Sequence, residues 1–428
     1  MITTGIVILL FVLLALGAPI GFALLISGAL GIYAFGGERA LVGVLSSTPR
    51  DSASAFEFLT IPMFLLMAEF VLRSGVADDL FRAAAAWFGR LRGGLGIATA
   101  LAGAGFGAVC GSSTAAAATL SSTSLPAMKR HNYETELAAG VVAISGTLSM
   151  LIPPSVAMVI YALLAHVSIA KMLVAGVIPG ILITLTIALT VYFQAWRNPA
   201  RAPLTEKIPL PEKIALLRLV GPMLVLMGAV TGVIYTGVAT PTEASAVGAL
   251  AAGILYFTRA RRSWSEVYSV VARATRTACM LGIIILGAHV FTTFFALTQT
   301  TNIIITWVGS LDVSPWVILL ALIGVILILG CFMDQMAILV LTVPVVAPLL
   351  HSMDFDLIWF GVIMIVTAEI GLVTPPLGLN CFVVAKYSGV PVGSVFRGSL
   401  PHVIAHLIAI GIFLLFPAIS LWLPAQMG

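Results

Sequence analysis

Oxygen-bearing side chains interrupt long apolar stretches at two places in this sequence. The first place contains Ser112, Ser113 and Thr114, whose hydroxyl groups are neutral oxygen donors. The second follows Gly330 and contains the carboxylate of Asp334. Hard cations prefer oxygen ligands. A small cation such as Na⁺ suits a site made of neutral oxygens and one carboxylate.

A Pro-Pro pair follows each polar stretch, at Pro153-Pro154 and at Pro375-Pro376. Proline removes a backbone donor and clashes with the preceding helical turn, so nearby carbonyls lose their helical partners. A carbonyl left bare in apolar surroundings costs several kcal/mol. We therefore expect bound cations to satisfy these oxygens. The first Na⁺ site would use Ser112, Ser113 and the carbonyls from Thr147 to Ile152, and the second would use Gly330, Asp334 and Thr374.

The same interruptions predict a pocket for an anion. A helix that restarts after a break presents unpaired N–H groups and the positive end of its dipole. Four polar side chains are placed to line that space: Ser113, Thr114, Ser155 and Asn380. The sequence offers no obvious Arg or Lys at this depth, so we expect bound Na⁺ to supply the positive charge.

Other interpretations exist for most of these residues. Serine and threonine often join membrane helices by hydrogen bonds, which is the role we assign to 121–124. A Pro-Pro pair by itself can be only a kink. Intramembrane Glu369 is either functional or a cap for freed N–H groups. Glu69 and Glu243 lie farther from the breaks, and we interpret them as interhelical or interfacial partners.

Composition identifies the environment of these segments. The chain has 428 residues, of which 60% are hydrophobic and only 9% charged. Soluble domains carry about a quarter charged residues, so this is an all-α polytopic membrane protein. The net charge of +4 is too small to indicate nucleic-acid binding. The four cysteines have no metal-ligand spacing.

The sequence contains an internal repeat. The two Pro-Pro pairs lie 222 residues apart (375 − 153), and Pro19 and Pro241 keep the same offset. Corresponding broken helices in two halves indicate the binding site of a transporter. We predict a first repeat at 1–196, with scaffold spans 1–73, a surface arm helix 75–92, a hairpin 94–128, a broken helix 137–166 and a span 173–196. A cytoplasmic linker at 197–215 precedes a second repeat at 216–428, with scaffold spans 216–298, a hairpin 314–350, a broken helix 357–388 and a span 399–423.

Flanking charges orient these segments. Basic residues mark cytoplasmic loops, and they occur in the linker and the next loop at Arg197, Arg201, Lys207, Lys213, Arg218, Arg259, Arg261 and Arg262. The first hairpin is followed by Lys129 and Arg130, whereas the second is flanked by Asp312 and Asp354. We therefore expect re-entrant hairpins that open to opposite sides, as an inverted repeat requires. We also expect a surface helix at 262–276.

Four motifs together resemble the large membrane subunit of tripartite ATP-independent periplasmic (TRAP) transporters. They are Gly-Ser-Ser-Thr-Ala at 111–115, Ile-Pro-Pro-Ser at 152–155, Thr-Pro-Pro-Leu-Gly-Leu-Asn at 374–380 and Thr-Pro-Thr-Glu-Ala at 240–244. The resemblance covers essentially the whole chain. It implies Na⁺-driven uptake of an organic acid, such as a C4-dicarboxylate, sialic acid or another sugar acid, by an elevator movement in the inner membrane of a bacterium or archaeon.

The resemblance also implies partners and leaves rivals. The partners are a small four-helix membrane subunit, expected as a separate chain, and a periplasmic substrate-binding protein; Na⁺ is the coupling ion and no cofactor is expected. One rival is a self-sufficient divalent-anion:Na⁺ symporter. Another is an intramembrane enzyme that uses Asp334 and Glu369 as paired carboxylates. A passive channel is a weaker third.

Overall fold

A computed structural model describes residues 2–206, 208–259 and 263–427, and all regular structure in these ranges is helical. Three residues used above for orientation, Lys207, Arg261 and Arg262, lie outside the described ranges. The helices of the first half are α1 (Ile2–Ala15), α2 (Ile20–Ser54), α3 (Thr60–Arg73), α4 (Val76–Phe88), α5 (Gly94–Cys110), α6 (Ser113–Arg130), α7 (Thr135–Thr147), α8 (Val156–Ala165), α9 (Ile169–Ala175) and α10 (Val177–Arg197).

The second half repeats much of this succession after the linker. Its helices are α11 (Leu210–Tyr235), α12 (Pro241–Arg259), α13 (Trp264–Leu297), α14 (Thr300–Gly309), α15 (Pro315–Gly330), α16 (Gln335–His351), α17 (Leu357–Gly371), α18 (Leu379–Ser388), α19 (Val392–Leu415) and α20 (Ala418–Ala425). Short 3₁₀ turns occupy Phe56–Leu59, Leu148–Met150 and Pro199–Arg201.

Five stretches of helix are long and apolar enough to cross a membrane: Ile20–Ser54, Ile169–Arg197, Leu210–Tyr235, Trp264–Leu297 and Val392–Leu415. Several apolar helices are shorter, with 10–17 residues, and they include both arms of the second hairpin and most of both broken helices. A membrane segment that is broken or folded into a hairpin consists of two short helices, and here such helices occur at corresponding places in the two halves. The chain is therefore a multi-pass membrane protein.

The helical hairpins lie close to the predicted ranges. In the first half α5 and α6 pack against each other across a two-residue connection at Gly111 and Ser112, and α15 and α16 pack in the second half. Helix α7 ends before Pro153-Pro154 and α17 before Pro375-Pro376, and α8 and α18 restart beyond them. The peptide bond within each Pro-Pro pair is cis. The opposite facing of the two hairpins stays a prediction.

Three boundaries differ from expectation. The surface helix at 262–276 is wrong as a separate element, because α13 runs unbroken from Trp264 to Leu297 with no proline to stop it. The linker is shorter than predicted, since α11 already begins at Leu210, where Pro209 and Pro211 suit a helix start. The last span runs over α19 and ends at Leu415, and Pro417 separates it from the short α20.

The molecule has two groups of packed helices. One group, which we call the frame, contains α2, α3, α12 and α13, where α2 packs on α13 and α3 on α12. Its glycines allow close approach, since a Cβ on Gly21 or Gly28 would stand 2.9 Å from the α13 backbone. The other group, the hairpin body, contains α5–α8 and α15–α19.

One ion pair joins two frame helices, and a second joins the frame to α4. Glu69 of α3 accepts a hydrogen bond from Arg273 of α13 at 2.9 Å, and Asp79 of α4 pairs with Arg259 of α12. This confirms the interhelical interpretation of Glu69. Glu243 makes no interhelical bond among the described residues; it is exposed and accepts hydrogen bonds from the backbone and hydroxyl of Thr240, and its interfacial role stays a prediction. Glu243 closes a local cap at the start of α12.

Within the hairpin body the two halves of the chain touch directly. A Cβ on Gly140 of α7 would overlap the backbone of Gly398 of α19, and the reverse substitution would overlap the carbonyl of Glu136. Small residues at membrane helix interfaces allow this backbone contact. Helix α7 comes from the first half and α19 from the second, so this interface needs both halves of the chain.

Candidate functional site at the hairpin connections

A cavity of about 920 Å³ lies where the hairpin body meets the frame. The connections of both hairpins line it, at 111–114 and 334–336, and the start of α2 and the middle of α13 form the facing wall. Met150 and Val156, on either side of the first Pro-Pro pair, also line it. The fold thus brings two segments together that are far apart in sequence.

The first connection is built by glycine and a capping serine. Gly111 adopts a left-handed conformation (φ 61°), which ends α5 and reverses the chain. Ser112 then caps α6: its hydroxyl accepts a hydrogen bond from the Ala115 backbone at 3.4 Å and lies 3.3 Å from the Thr114 hydroxyl. Ser113 is buried at the start of α6. The predicted residues Ser112, Ser113 and Thr114 all line the cavity.

The second connection repeats this arrangement with a carboxylate. Asp334 Oδ1 accepts hydrogen bonds from the backbones of Met336 at 2.9 Å and Ala337 at 3.2 Å, so Asp334 caps α16. Asp334 is the counterpart of Ser112 (334 − 112 = 222). A capping carboxylate keeps further lone pairs for a cation.

Gln335 is the unexpected member of this connection. Its side chain is 1% exposed and lines the cavity. Within the described chain its amide nitrogen and oxygen have no hydrogen-bond partner. Buried polar atoms are almost always paired, so an unpaired amide at a cavity wall indicates a ligand or water site. It is the counterpart of Ser113 (335 − 113 = 222), and the repeat offset alone points to it.

Three predicted residues of the first break lie outside the cavity lining, namely Thr147, Ile152 and Ser155, whereas Met150 between them lines it. Thr147 donates a hydrogen bond to the Ile144 carbonyl at 2.8 Å. Ile152 packs against α10, where its side chain lies against Gly180. Ser155 caps α8: its hydroxyl donates to the Met150 carbonyl and accepts from the Met158 backbone at 3.3 Å.

The second break is tied to the second hairpin. The backbones of Leu377 and Gly378 donate hydrogen bonds to the Cys331 carbonyl, both at 3.3 Å. A Cβ on Gly371 would overlap the backbone of Gly330, so α17 and α15 touch there. Gly330 therefore lies at a helix contact. Thr374 donates to the Ile370 carbonyl at 2.6 Å.

Asn380 joins the two broken helices. Its amide nitrogen donates a hydrogen bond to the Ala143 carbonyl of α7 at 3.4 Å, while its side-chain oxygen is buried without a partner in the described chain. Asn380 thus has one free acceptor close to both breaks. It lies outside the cavity lining, as do Gly330 and Thr374.

Glu369 is completely buried in α17, and neither carboxylate oxygen has a hydrogen-bond partner in the described residues. The prediction that it caps freed N–H groups is therefore wrong, because capping requires such a hydrogen bond. An unpaired buried carboxyl group is costly in its charged form. Its position corresponds to Thr147 of the first half (369 − 147 = 222).

Arg276 of α13 lines the cavity opposite the hairpin connections. The expectation that no Arg or Lys is available beside these connections is therefore wrong. It failed because 262–276 was interpreted as a surface helix, whereas α13 continues 21 residues beyond Arg276 (297 − 276). The sequence carries a signal for this longer helix, since residues 264–281 contain no Gly or Pro that would end a helix.

These features define a class of protein. Apolar helices broken near a cavity that holds polar hairpin connections and one arginine belong to a membrane transporter rather than to an enzyme.

The family follows from comparison with known proteins. Residues 7–419 match the family described as "Tripartite ATP-independent periplasmic transporter, DctM component". The chain belongs to this family, which is a family of transporter permeases, and it is not an enzyme.

Individual relatives agree. The C4-dicarboxylate TRAP transporter large permease protein DctM of Pseudomonas aeruginosa is 38% identical over 404 residues, covering 94% of each chain. The sialic acid TRAP transporter large permease protein SiaM of Vibrio cholerae is 28% identical and covers 96% of each chain. The crystal structure of the YdaH transporter of Alcanivorax borkumensis has the same fold, with a TM-score of 0.63 at 14% identity over 90% of this chain and 88% of that one.

Proposed function

We propose that this chain is the large permease subunit of a Na⁺-coupled symporter that takes up an organic acid anion across the inner membrane. The observation that carries the proposal is the cavity where Ser112, Ser113, Thr114 and Asp334 meet Arg276. It combines oxygen donors for a cation with a positive side chain for an anion. A symporter needs both kinds of partner in one place.

The anion would bind between Arg276 and the hairpin connections. Helices α6 and α16 both begin at the cavity, so their first N–H groups and positive dipole ends favour a carboxylate. Gln335 adds an unpaired amide. Ser113 and Thr114 would take part directly, and Ser155 and Asn380 would support the pocket from the breaks.

The substrate class rests on chemistry and on relatives. Relatives are named for C4-dicarboxylate, sialic acid and isethionate, all of them organic anions. A pocket with one arginine and two helix starts suits that shared charge. Among these, the C4-dicarboxylate relative is the most similar to this chain of the three at 38% identity, so we propose a dicarboxylate as the first substrate to test.

Two Na⁺ ions would bind beside the anion, one in each half. The first would use Ser112, Ser113 and carbonyls between Thr147 and Ile152. The second would use Asp334, Thr374 and the backbone near Gly330. Asp334 brings the one carboxylate among these predicted ligands, so the second site would hold its ion more tightly.

Movement would follow the boundary between the two helix groups. The Glu69–Arg273 ion pair fastens α3 to α13 within the frame, whereas the cavity lies at the border of the frame with the hairpin body. We infer that the body slides as a unit against the frame and carries the site across the membrane. The small four-helix subunit would brace the frame, and a periplasmic binding protein would deliver the substrate.

Reconstitution tests the proposal. The chain should be placed in proteoliposomes with its small subunit, and uptake of labelled C4-dicarboxylates, sialic acid and isethionate should be measured with and without the matching binding protein. We expect uptake only with an inward Na⁺ gradient and the binding protein. Uptake by the chain alone would support the self-sufficient symporter, and uptake indifferent to Na⁺ would contradict the coupling.

Cys279 offers a second test without mutation. It is the exposed one of the four cysteines and lines the cavity, while Cys110, Cys331 and Cys381 are buried. A thiol reagent should therefore modify Cys279 preferentially. Na⁺ together with the transported anion should slow this modification. Unchanged labelling at saturating Na⁺ and substrate would place the binding site elsewhere.

A further inference from the structure

A second large cavity lies on the outside of the hairpin body, far in sequence from the hairpin connections. It is a groove of about 940 Å³ between α10 and α19, a volume at the upper end of small-molecule sites. Its walls are formed by Leu189, Thr190, Phe193, Gln194, Arg197, Asn198, Arg201, Pro401, Ile404, Ala405 and Ile408. None of these residues has a role in the transport site described above.

The groove uses one regular face of each helix. Leu189, Phe193 and Arg197 are spaced four apart on α10, and Ile404 and Ile408 are spaced four apart on α19. Residues with this spacing lie on the same side of a helix. The packed side of α10 is a different one, where Val191 lies against Gly93 and Val191 is fully buried.

The long wall of the groove is apolar and uncovered. Leu189 is 64% exposed, Phe193 55% and Ile408 60%. Both helices belong to stretches long and apolar enough to cross a membrane, so acyl chains would cover this wall. From Leu189 to Arg197 the helix rises about 12 Å, which is most of the roughly 15 Å hydrocarbon thickness of one leaflet.

One end of the groove is cationic. Arg197 is exposed at the end of α10 and makes no hydrogen bond or ion pair within the described residues. Arg201 pairs with Glu134 and donates to the Gln194 side-chain oxygen at 3.4 Å. The Gln194 amide nitrogen is buried and has no partner in the described chain. One positive charge and one free donor therefore remain.

We propose that this groove binds an anionic phospholipid of the cytoplasmic leaflet. The phosphate would lie against Arg197 and the Gln194 amide nitrogen, since a guanidinium group matches phosphate oxygens with two parallel hydrogen bonds. One acyl chain would follow Phe193 and Ile408. The net charge of the Arg197, Arg201 and Glu134 group is +1, which complements a single phosphodiester. The charged end of the groove would face the lipid headgroup and its apolar wall would face the acyl chain, which is the order of these parts in a phospholipid.

The test compares lipid retention by matched variants. Full-length protein should be purified in a mild detergent and mixed with equal amounts of phosphatidylglycerol and phosphatidylcholine of the same chain length. Native mass spectrometry then counts the lipids that stay bound. The variants are Arg197→Gln and, as a control, Arg218→Gln, which removes an exposed arginine of α11 that does not line the groove. Ala405→Trp fills the trench.

We expect wild-type protein and Arg218→Gln to retain one phosphatidylglycerol in preference to phosphatidylcholine. Arg197→Gln should reduce that retention about fivefold, the factor expected for one basic residue at an anionic surface. Ala405→Trp should lose both lipids.

Equal retention of the two lipids by wild-type protein, or equal losses in the two arginine variants, would overturn the proposal. The proposal would also be overturned if a second copy of the chain covered the groove, which disulfide cross-linking of Ile408→Cys would detect. Size-exclusion profiles confirm folding, and Arg197→Gln decides the question if Ala405→Trp misfolds.

Discussion

Ser112 and Asp334 occupy the same place in the two hairpins, but only Asp334 carries a charge. Both side chains cap the helix that follows, so a structural role is established for each. The cation-binding role stays a prediction. The two roles differ chemically, because capping needs only an acceptor oxygen whereas the second Na⁺ site draws on the negative charge.

Substitution of Asp334 separates these roles. Asparagine is as good a cap as aspartate, so Asp334→Asn should keep the thermal stability of the protein while Na⁺-dependent uptake falls to background. Asp334→Ala should lose uptake and also destabilise the protein by about 1 kcal/mol. Uptake at several Na⁺ concentrations and thermal unfolding in detergent measure the two effects. Wild-type Na⁺ dependence in Asp334→Asn would refute the proposed site.

Arg276 is the residue that changes the electrostatics of the cavity. Arg276→Gln should raise the KM for the anion about tenfold or more, because a hydrogen bond to a charged group is worth about 1.5–3 kcal/mol. Arg273, one turn away, pairs with Glu69 and serves as the matched control. Arg273→Gln should lower stability and leave KM nearly unchanged. The proposed anion position is wrong if KM responds to Arg273 and not to Arg276.

At the scale of elements, the local signals in the sequence were sufficient for the hairpins and breaks. Pro153-Pro154 and Pro375-Pro376 disfavour a continuous helix, and Gly111 permits the reversal, so these bounds follow from neighbouring residues. Contacts between helices that are distant in sequence could not be predicted from such local signals. The bond from Asn380 to Ala143 and the position of Arg276 depend on how distant helices pack.

The contact between Gly330 and Gly371 fixes the second hairpin against its broken helix. Gly371→Ala forces the two backbones apart, which should destabilise the protein by about 1–3 kcal/mol and displace the Asp334 connection. Gly324→Ala on the same hairpin arm has open space around it and should be neutral or slightly stabilising. Thermal unfolding of the two variants compares them directly. Equal unfolding temperatures would show that the contact carries no constraint.

At the scale of the whole molecule, we predict that the two halves face opposite sides of the membrane. This prediction can be tested in a background where Cys279 is replaced by serine. His131→Cys and Ser352→Cys place exposed thiols at the ends of α6 and α16. A membrane-impermeant reagent should label residue 131 only from the cytoplasm and residue 352 only from outside, as the flanking charges predict. Labelling of both from one side would reject the inverted arrangement.

The direct contact between α7 and α19 bears on how the protein is made. Helix α7 leaves the ribosome early, but its glycine surface finds its partner only after Gly398 has been synthesised. For most of translation the surface of α7 at Gly140 therefore lacks its partner helix, although α7 can already pack against α5 and α6. A premature stop within α19 before Gly398 would leave a nearly complete chain in which the glycine surface of α7 has no partner.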